Sequence, residues 1–178
     1  VLAGTKTGAA NRAQVIDPQG KLVAQYDKIH LIPLMDEQKY LEAGNSDCVF
    51  PIGDTTAGCV ICYDIRFCEW LRRYALRGTK VLFVSAEWPK IRIDHWKALL
   101  KARAIENMMY VVACNLVGTS KDTLFGGASM ILDPWGTTLF EAGEGEEGHF
   151  AVIDPSKVDE IRNHLQVFRM RRPELYRE

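Results

Sequence analysis

Residues 57–62, Ala-Gly-Cys-Val-Ile-Cys, form an unbroken apolar run, and this run constrains the fold more than any other segment. A strand that is apolar at successive positions has both of its faces covered. Residues 66–77 read as a helix that stops at Gly78. A second buried strand follows at 81–85. Hairpin signals flank the unit on both sides. Residues 14–17 and 21–28 enclose the turn Pro18-Gln19-Gly20, and Pro134-Trp135-Gly136 separates 128–133 from 137–141. Two further strands are expected at 110–115 and 149–153, and a short helix from Asp154-Pro155 through Asn163. Residues 32–45 read as a loop that ends in Gly44-Asn45. The pattern is that of a layered α/β sandwich with mixed sheets.

Residues 95–109 form the second helix of the pattern, and it carries two apolar stripes. Trp96, Leu99 and Leu100 make one, and Ala98, Ala102, Ile105 and Met109 make the other. One stripe covers the sheet. The other needs a further layer or a second subunit.

The 178 residues suit one domain, here 1–178. A net charge of −1 leaves no basic footprint for nucleic acid or an anionic membrane. The apolar runs 81–84 and 110–114 are too short to span a bilayer. Five cysteines at irregular spacing argue against a disulfide framework and for a reducing, cytoplasmic setting. Val1-Leu2-Ala3-Gly4 reads as the end of a buried strand, so the domain is expected to be incomplete at its N-terminus.

Cys62 closes the apolar run just ahead of a helix. A nucleophile at such a turn is exposed at the sheet edge, and the N–H of Tyr63 is then placed to bind an oxyanion. Cys59 and Cys62 have C-x-x-C spacing. Within a strand, however, residues three apart face opposite ways, and no second ligand pair follows, so neither a metal nor a redox site is expected. Glu87 and Trp88 follow a buried strand at its C-terminal end, where α/β sheets place ligands. Lys28, His30 and Glu37 are individually unremarkable charges. Arg103 and Glu106, three apart on the second helix, are spaced to pair.

Read together, several segments resemble the nitrilase superfamily of carbon–nitrogen hydrolases. They are Tyr26-Asp27-Lys28-Ile29-His30-Leu31 and Glu37-x-x-Tyr40-x-x-Ala43-Gly44, followed by Cys62-Tyr63-Asp64-Ile65-Arg66-Phe67-Cys68-Glu69. His95-Trp96, Ala102-Arg103-Ala104-Ile105-Glu106-Asn107 and Asp133-Pro134-Trp135-Gly136 complete the set in order. The resemblance implies a four-layer αββα sandwich and a glutamate–lysine–cysteine triad. Cys62 would be the nucleophile, Lys28 the triad lysine and Glu37 an accessory carboxylate. Tyr63, Glu87 and Trp88 would surround substrate and oxyanion, and no metal or organic cofactor would be needed.

The Cys-Tyr-Asp-x-Arg-Phe form is most similar to the omega-amidase branch, which implies a 2-oxo acid ω-amide such as 2-oxoglutaramate as substrate. An N-carbamoyl amide hydrolase and a non-catalytic binding protein on the same scaffold are the alternatives. The resemblance also implies a homodimer or larger oligomer through the second helix and residues 66–77. One departure stands out. The triad glutamate should precede Lys28, yet residues 1–27 hold only Asp17 and Asp27 as acids. Residues 1–178 alone are therefore expected to turn substrate over poorly.

Overall fold

The computed structural model describes residues 2–5 and 8–176. Val1, where the N-terminal strand reading begins, lies outside them. The chain opens with a three-stranded antiparallel sheet, β1 (Leu2–Gly4), β2 (Ala9–Ile16) and β3 (Leu22–Asp27), in that order. The β2–β3 hairpin turns at the expected residues. Asp17 accepts the N–H groups of Gln19 and Lys21 through one carboxylate oxygen and that of Gly20 through its carbonyl, and Gly20 supplies the positive φ of 80°.

A second, six-stranded sheet holds the core. Its strands are β4 (Val49–Ile52), β5 (Thr55–Ile61), β6 (Val81–Ala86), β7 (Tyr110–Asn115), β10 (Met130–Leu132) and β11 (Thr138–Glu141). The spatial order is β11-β10-β7-β6-β5-β4, with β5, β6 and β7 parallel and the outer strands antiparallel. Between β7 and β10 lies a separate hairpin, β8 (Val117–Ser120) and β9 (Thr123–Gly126). The parallel strands are linked by α1 (Cys68–Leu76) and α2 (Ile93–Asn107). Right-handed crossovers put both helices on one face of the sheet, and they touch each other there. Ala13, Val15 and Ala24 of the first sheet pack into the same core. The layers thus run helices, six-stranded sheet, three-stranded sheet. A last helix, α3 (Ser156–Leu165), closes one end, where Arg162 donates to the carbonyls of Thr79 and Asn107.

The sequence pattern differs from the structure in three places. The first helix begins at Cys68 and not at Arg66, because residues 62–66 form a tight 3₁₀ turn and Phe67 is extended (φ −100°, ψ 91°). Residues 149–153 alternate like a strand but pair with none of the described strands, and Phe150 and Val152 are 96% and 99% exposed. The β8–β9 hairpin is too polar and too short for its pattern to register. The second helix, expected at 95–109, runs Ile93–Asn107. Of the Trp96 stripe, Trp96 and Leu100 are 0% exposed and Leu99 is partly buried, while Met109 of the other stripe is buried beyond the helix end. Ile105, from the other stripe, is half exposed.

One tyrosine shows how tightly the core is keyed. The register of β4 on β5 puts Cys48 opposite Cys59. The Tyr74 hydroxyl sits between their backbones, accepting from the Cys48 N–H (3.1 Å) and donating to the Cys59 carbonyl (2.9 Å). The ring can reach that point only over a glycine. A Cβ on Gly58 would lie 2.5 Å from Tyr74 Cδ1. Tyr74→Phe should therefore leave two buried backbone groups without their partner and cost about 1–3 kcal/mol. Urea unfolding should show a lower midpoint with an unchanged m-value.

Candidate active site

The C-terminal ends of parallel strands are where an α/β sheet exposes unpaired backbone and side chains to a ligand. Here β5, β6 and β7 end side by side at Ile61, Ala86 and Asn115. Cys62 is the next residue after β5. It opens the 3₁₀ turn with a left-handed φ of 48°, which a non-glycine residue holds at a cost of about 1–3 kcal/mol, so the surrounding packing must enforce it. The turn frees the first N–H groups of its own backbone, that of Tyr63 included.

The turn is fastened at both ends. Asp64 accepts the Ile61 N–H at its start (3.0 Å). Arg103 of α2 donates to the carbonyls of Ile65 (2.7 Å) and Arg66 (3.3 Å) at its finish, and is itself held by Glu106 at 2.8 Å. The spacing of Arg103 and Glu106 is thus an ion pair that serves the turn. His30 is satisfied by Asp64 and stacked on Phe67, at a centroid distance of 3.6 Å.

Lys28 arrives from the other sheet, just beyond β3. Its side chain is buried, and its ammonium donates to both oxygens of Glu37, at 2.8 and 2.7 Å. Glu37 also accepts the Ile32 N–H at 2.7 Å, which folds the 32–40 loop back over the site. Lys28, Glu37, Cys62 and Glu87 line one cavity of about 540 Å³, together with Asn11, Asn115, Ser129, Glu146 and Glu147. A second cavity of about 400 Å³ meets the first at Cys62 and Glu87, and is lined by Tyr63, Arg66, Trp88 and Arg92. The Arg66 guanidinium lies 4.8 Å from the Trp88 ring centre. Among the described residues, no cluster of three or more His, Cys, Asp or Glu could hold a metal ion.

Glu87 meets Cys62 through its backbone N–H, which favours the thiolate, while its side chain is exposed. That segment is held by Asn115, whose amide accepts from the Trp88 N–H (2.6 Å) and donates to the carbonyls of Trp88 and Gly127. The sequence reading did not single out Asn115, Arg66 or Arg92. Asn115 could have been found by the logic that found Glu87, since it closes a buried strand at the same sheet end. Arg66 could have been found one turn beyond the nucleophile, had the tight turn been read in place of a helix.

The thiol of Cys62 is not a ready-made thiolate. Burial pushes its pKa above the ordinary thiol range. Lys28 and the Glu87 N–H pull it down, Glu37 and Asp64 push it up again, and burial prevails. The nearby lysine cation by itself does not bring the thiol into the thiolate range.

Residues 3–163 match the family described as carbon-nitrogen hydrolase. The chain belongs to that family. It is 46% identical over 166 residues to a 2-oxoglutaramate amidase of Bacillus subtilis, covering 93% of this chain and 64% of that protein. It is 34% identical over 175 residues to an omega-amidase of Homo sapiens, covering 93% and 63%. The chain thus spans somewhat less than two thirds of the length of these relatives. Among solved structures, a carbon–nitrogen hydrolase superfamily protein from Xanthomonas campestris with an arsenic adduct in its active site superposes with a TM-score of 0.89. That match is at 29% identity and covers 97% of this chain and 68% of that one. The architecture is the αββα sandwich of the nitrilase superfamily, to which the described residues contribute the layers given above.

The electrostatics of Cys62 give a pH-dependent expectation. Its alkylation by iodoacetamide should rise with pH around a midpoint above that of a free cysteine, because the raised pKa keeps the proton on sulfur at neutral pH. Lys28→Met removes an influence that lowers the pKa and should move the midpoint higher still. A midpoint at or below the free-cysteine value would show that burial does not prevail.

Proposed function

We propose that the protein containing this chain hydrolyses the terminal amide of a 2-oxo acid and releases ammonia, with Cys62 as nucleophile. The observation that carries this reading is the position of Cys62 at the junction of two unlike cavities. On one side are Lys28 and the Glu87 N–H, groups that stabilise negative charge. On the other are Arg66 and Arg92, beside Trp88, which suit the carboxylate of an acid substrate. A small acid amide can then present its carbonyl to sulfur while its charged end rests on the arginines. The resemblance to 2-oxoglutaramate amidases and omega-amidases supports the same substrate class.

The reaction follows from these groups. The Cys62 sulfur attacks the amide carbonyl carbon, and its proton passes to a base. The C–O π pair moves onto oxygen, where Lys28 and the Tyr63 N–H stabilise it. One such donor is worth about 3 kcal/mol. Collapse expels the nitrogen as ammonia after protonation and leaves a thioester on Cys62. Water then attacks the thioester, the carboxylate product departs, and the thiol regains its proton. Glu37 is committed to Lys28 and the Ile32 N–H and acts by fixing the lysine. The acid and base of both halves is the triad glutamate that the family resemblance implies, for which residues 1–27 offer no counterpart.

Two further readings accompany this one. The five free cysteines support a reducing compartment such as the cytoplasm, and among the described residues no helix is long and apolar enough to cross a membrane. The half-exposed Ile105 and Trp135 form neighbouring apolar surface on the outside of α2, since the Gly136 turn lies against Ile105. We propose that a second copy of the chain covers this surface together with the outer face of α1. Light scattering should give a dimer or larger assembly at micromolar concentration. A stable monomer would contradict it.

The activity is tested with a panel of small amides assayed for ammonia. Cys62→Ala should abolish release, and Cys59→Ala should leave most of it. Arg66→Ala should lower kcat/KM for 2-oxoglutaramate about ten- to a hundredfold, the effect of losing a charged hydrogen bond. A neutral aliphatic amide should respond far less, and Arg66→Lys should recover part of the loss. Equal effects on charged and neutral amides would remove the case for an acid substrate.

A further inference from the structure

The nucleophile turn contains a buried carboxylate that takes no part in the reaction. Asp64, two residues after Cys62, is fully buried, and among the described residues its only ion-pair partner is His30. Its Oδ2 accepts the Tyr26 hydroxyl at 2.8 Å and the Ile61 N–H at 3.0 Å. Its Oδ1 accepts the His30 N–H at 3.1 Å and lies 2.8 Å from His30 Nδ1. With the ring proton on Nδ1, all four contacts are donors to the carboxylate.

These donors come from two separate parts of the site. Tyr26 and His30 stand on either side of Lys28, two residues before it and two after. Ile61 immediately precedes Cys62. The lysine-bearing segment belongs to the three-stranded sheet, and the nucleophile turn belongs to the six-stranded one. Among the described residues no ladder hydrogen bond joins those sheets, so their relative position rests on packing and on side-chain bonds such as these. We propose that Asp64 is a positioning residue for the Lys28–Cys62 pair, tying the lysine strand and the nucleophile turn into one rigid unit.

The sign of the charge supports a geometric role. The charged groups acting on Cys62 are Lys28, Glu37 and Asp64, with the Glu87 N–H, and Asp64 works against the thiolate. A residue placed there to activate sulfur through its charge would be a cation. Tyr26 is well suited to its part. Burial, reinforced by the charge of Asp64, pushes its pKa up and keeps the hydroxyl a proton donor.

The inference rests on the assignment of Cys62 and Lys28, so the experiment has one arm that needs no substrate. Asp64→Asn and Tyr26→Phe are compared with wild type in the intact protein. The second variant keeps the Asp64 charge and deletes a single donor, and it carries the test if the first does not fold. In the amide assay, both should lose kcat with KM little changed, approaching about a hundredfold for a displacement on the scale of an ångström. Asp64→Asn should lose it although removal of a negative charge favours the thiolate. In the iodoacetamide arm, the alkylation midpoint of Cys62 in Tyr26→Phe should rise as the Lys28 cation drifts from sulfur. A purely structural role would lower the melting temperature and leave kcat per folded molecule and the alkylation midpoint at wild-type values. That result would overturn the proposal. If the wild type hydrolyses no amide, the amidase reading fails, and the alkylation midpoint alone decides the role of Asp64.

Discussion

A buried ammonium must be paired, and Lys28 is almost completely buried. An isolated charge in that position would lose its proton or force the structure open. Glu37 supplies the partner, but only if the 32–40 loop crosses the mouth of the cavity, and the Ile32 N–H bond to the same carboxylate holds it there. The loop then brings Ile32 and Met35 against Cys62, where they line both cavities. One charge-pairing requirement thus places the loop where both cavities meet, beside Cys62. Burial in the same place raises the Cys62 pKa.

The scaffold answers a second problem, which is to hold residues of two sheets around one cavity. Sheets that meet face to face can slide, because side-chain packing is less directional than a hydrogen-bond ladder. Directional contacts therefore gather at the turn. Tyr26 of the three-stranded sheet grips it through Asp64, Arg103 does so from α2, and Asn115 fixes the Glu87–Trp88 segment alongside. Asp64 and Arg103 line neither cavity, and Asn115 lines the first. They set where the reacting groups stand.

Much of this was legible from residue patterns. The apolar run 57–62, the Pro18-Gln19-Gly20 turn and the Tyr110–Asn115 strand all appear where their patterns place them, because burial on both faces and turn chemistry act locally. Residues 149–153 show the limit. Their alternation is that of a strand, but a strand exists only when a partner supplies its hydrogen bonds, and among the described residues none does. The helix boundary at Cys68 was equally hidden, since a helix and a 3₁₀ turn at 62–66 differ by one hydrogen-bond step that side chains on α2 and β3 decide.

Residue identity and order alone determined the family resemblance and the α/β layering, because these depend on motif order, strand alternation and apolar period within short stretches. Tertiary structure alone decided that Lys28 is engaged by Glu37, that the Glu87 backbone meets Cys62, and that Arg66 and Arg92 share a cavity with Cys62. It also decided that burial outweighs the lysine at sulfur. Each of these is a sum of desolvation and Coulomb terms over groups far apart in the chain. Their size depends on distances of a few ångström, which only the packing of one sheet against the other creates.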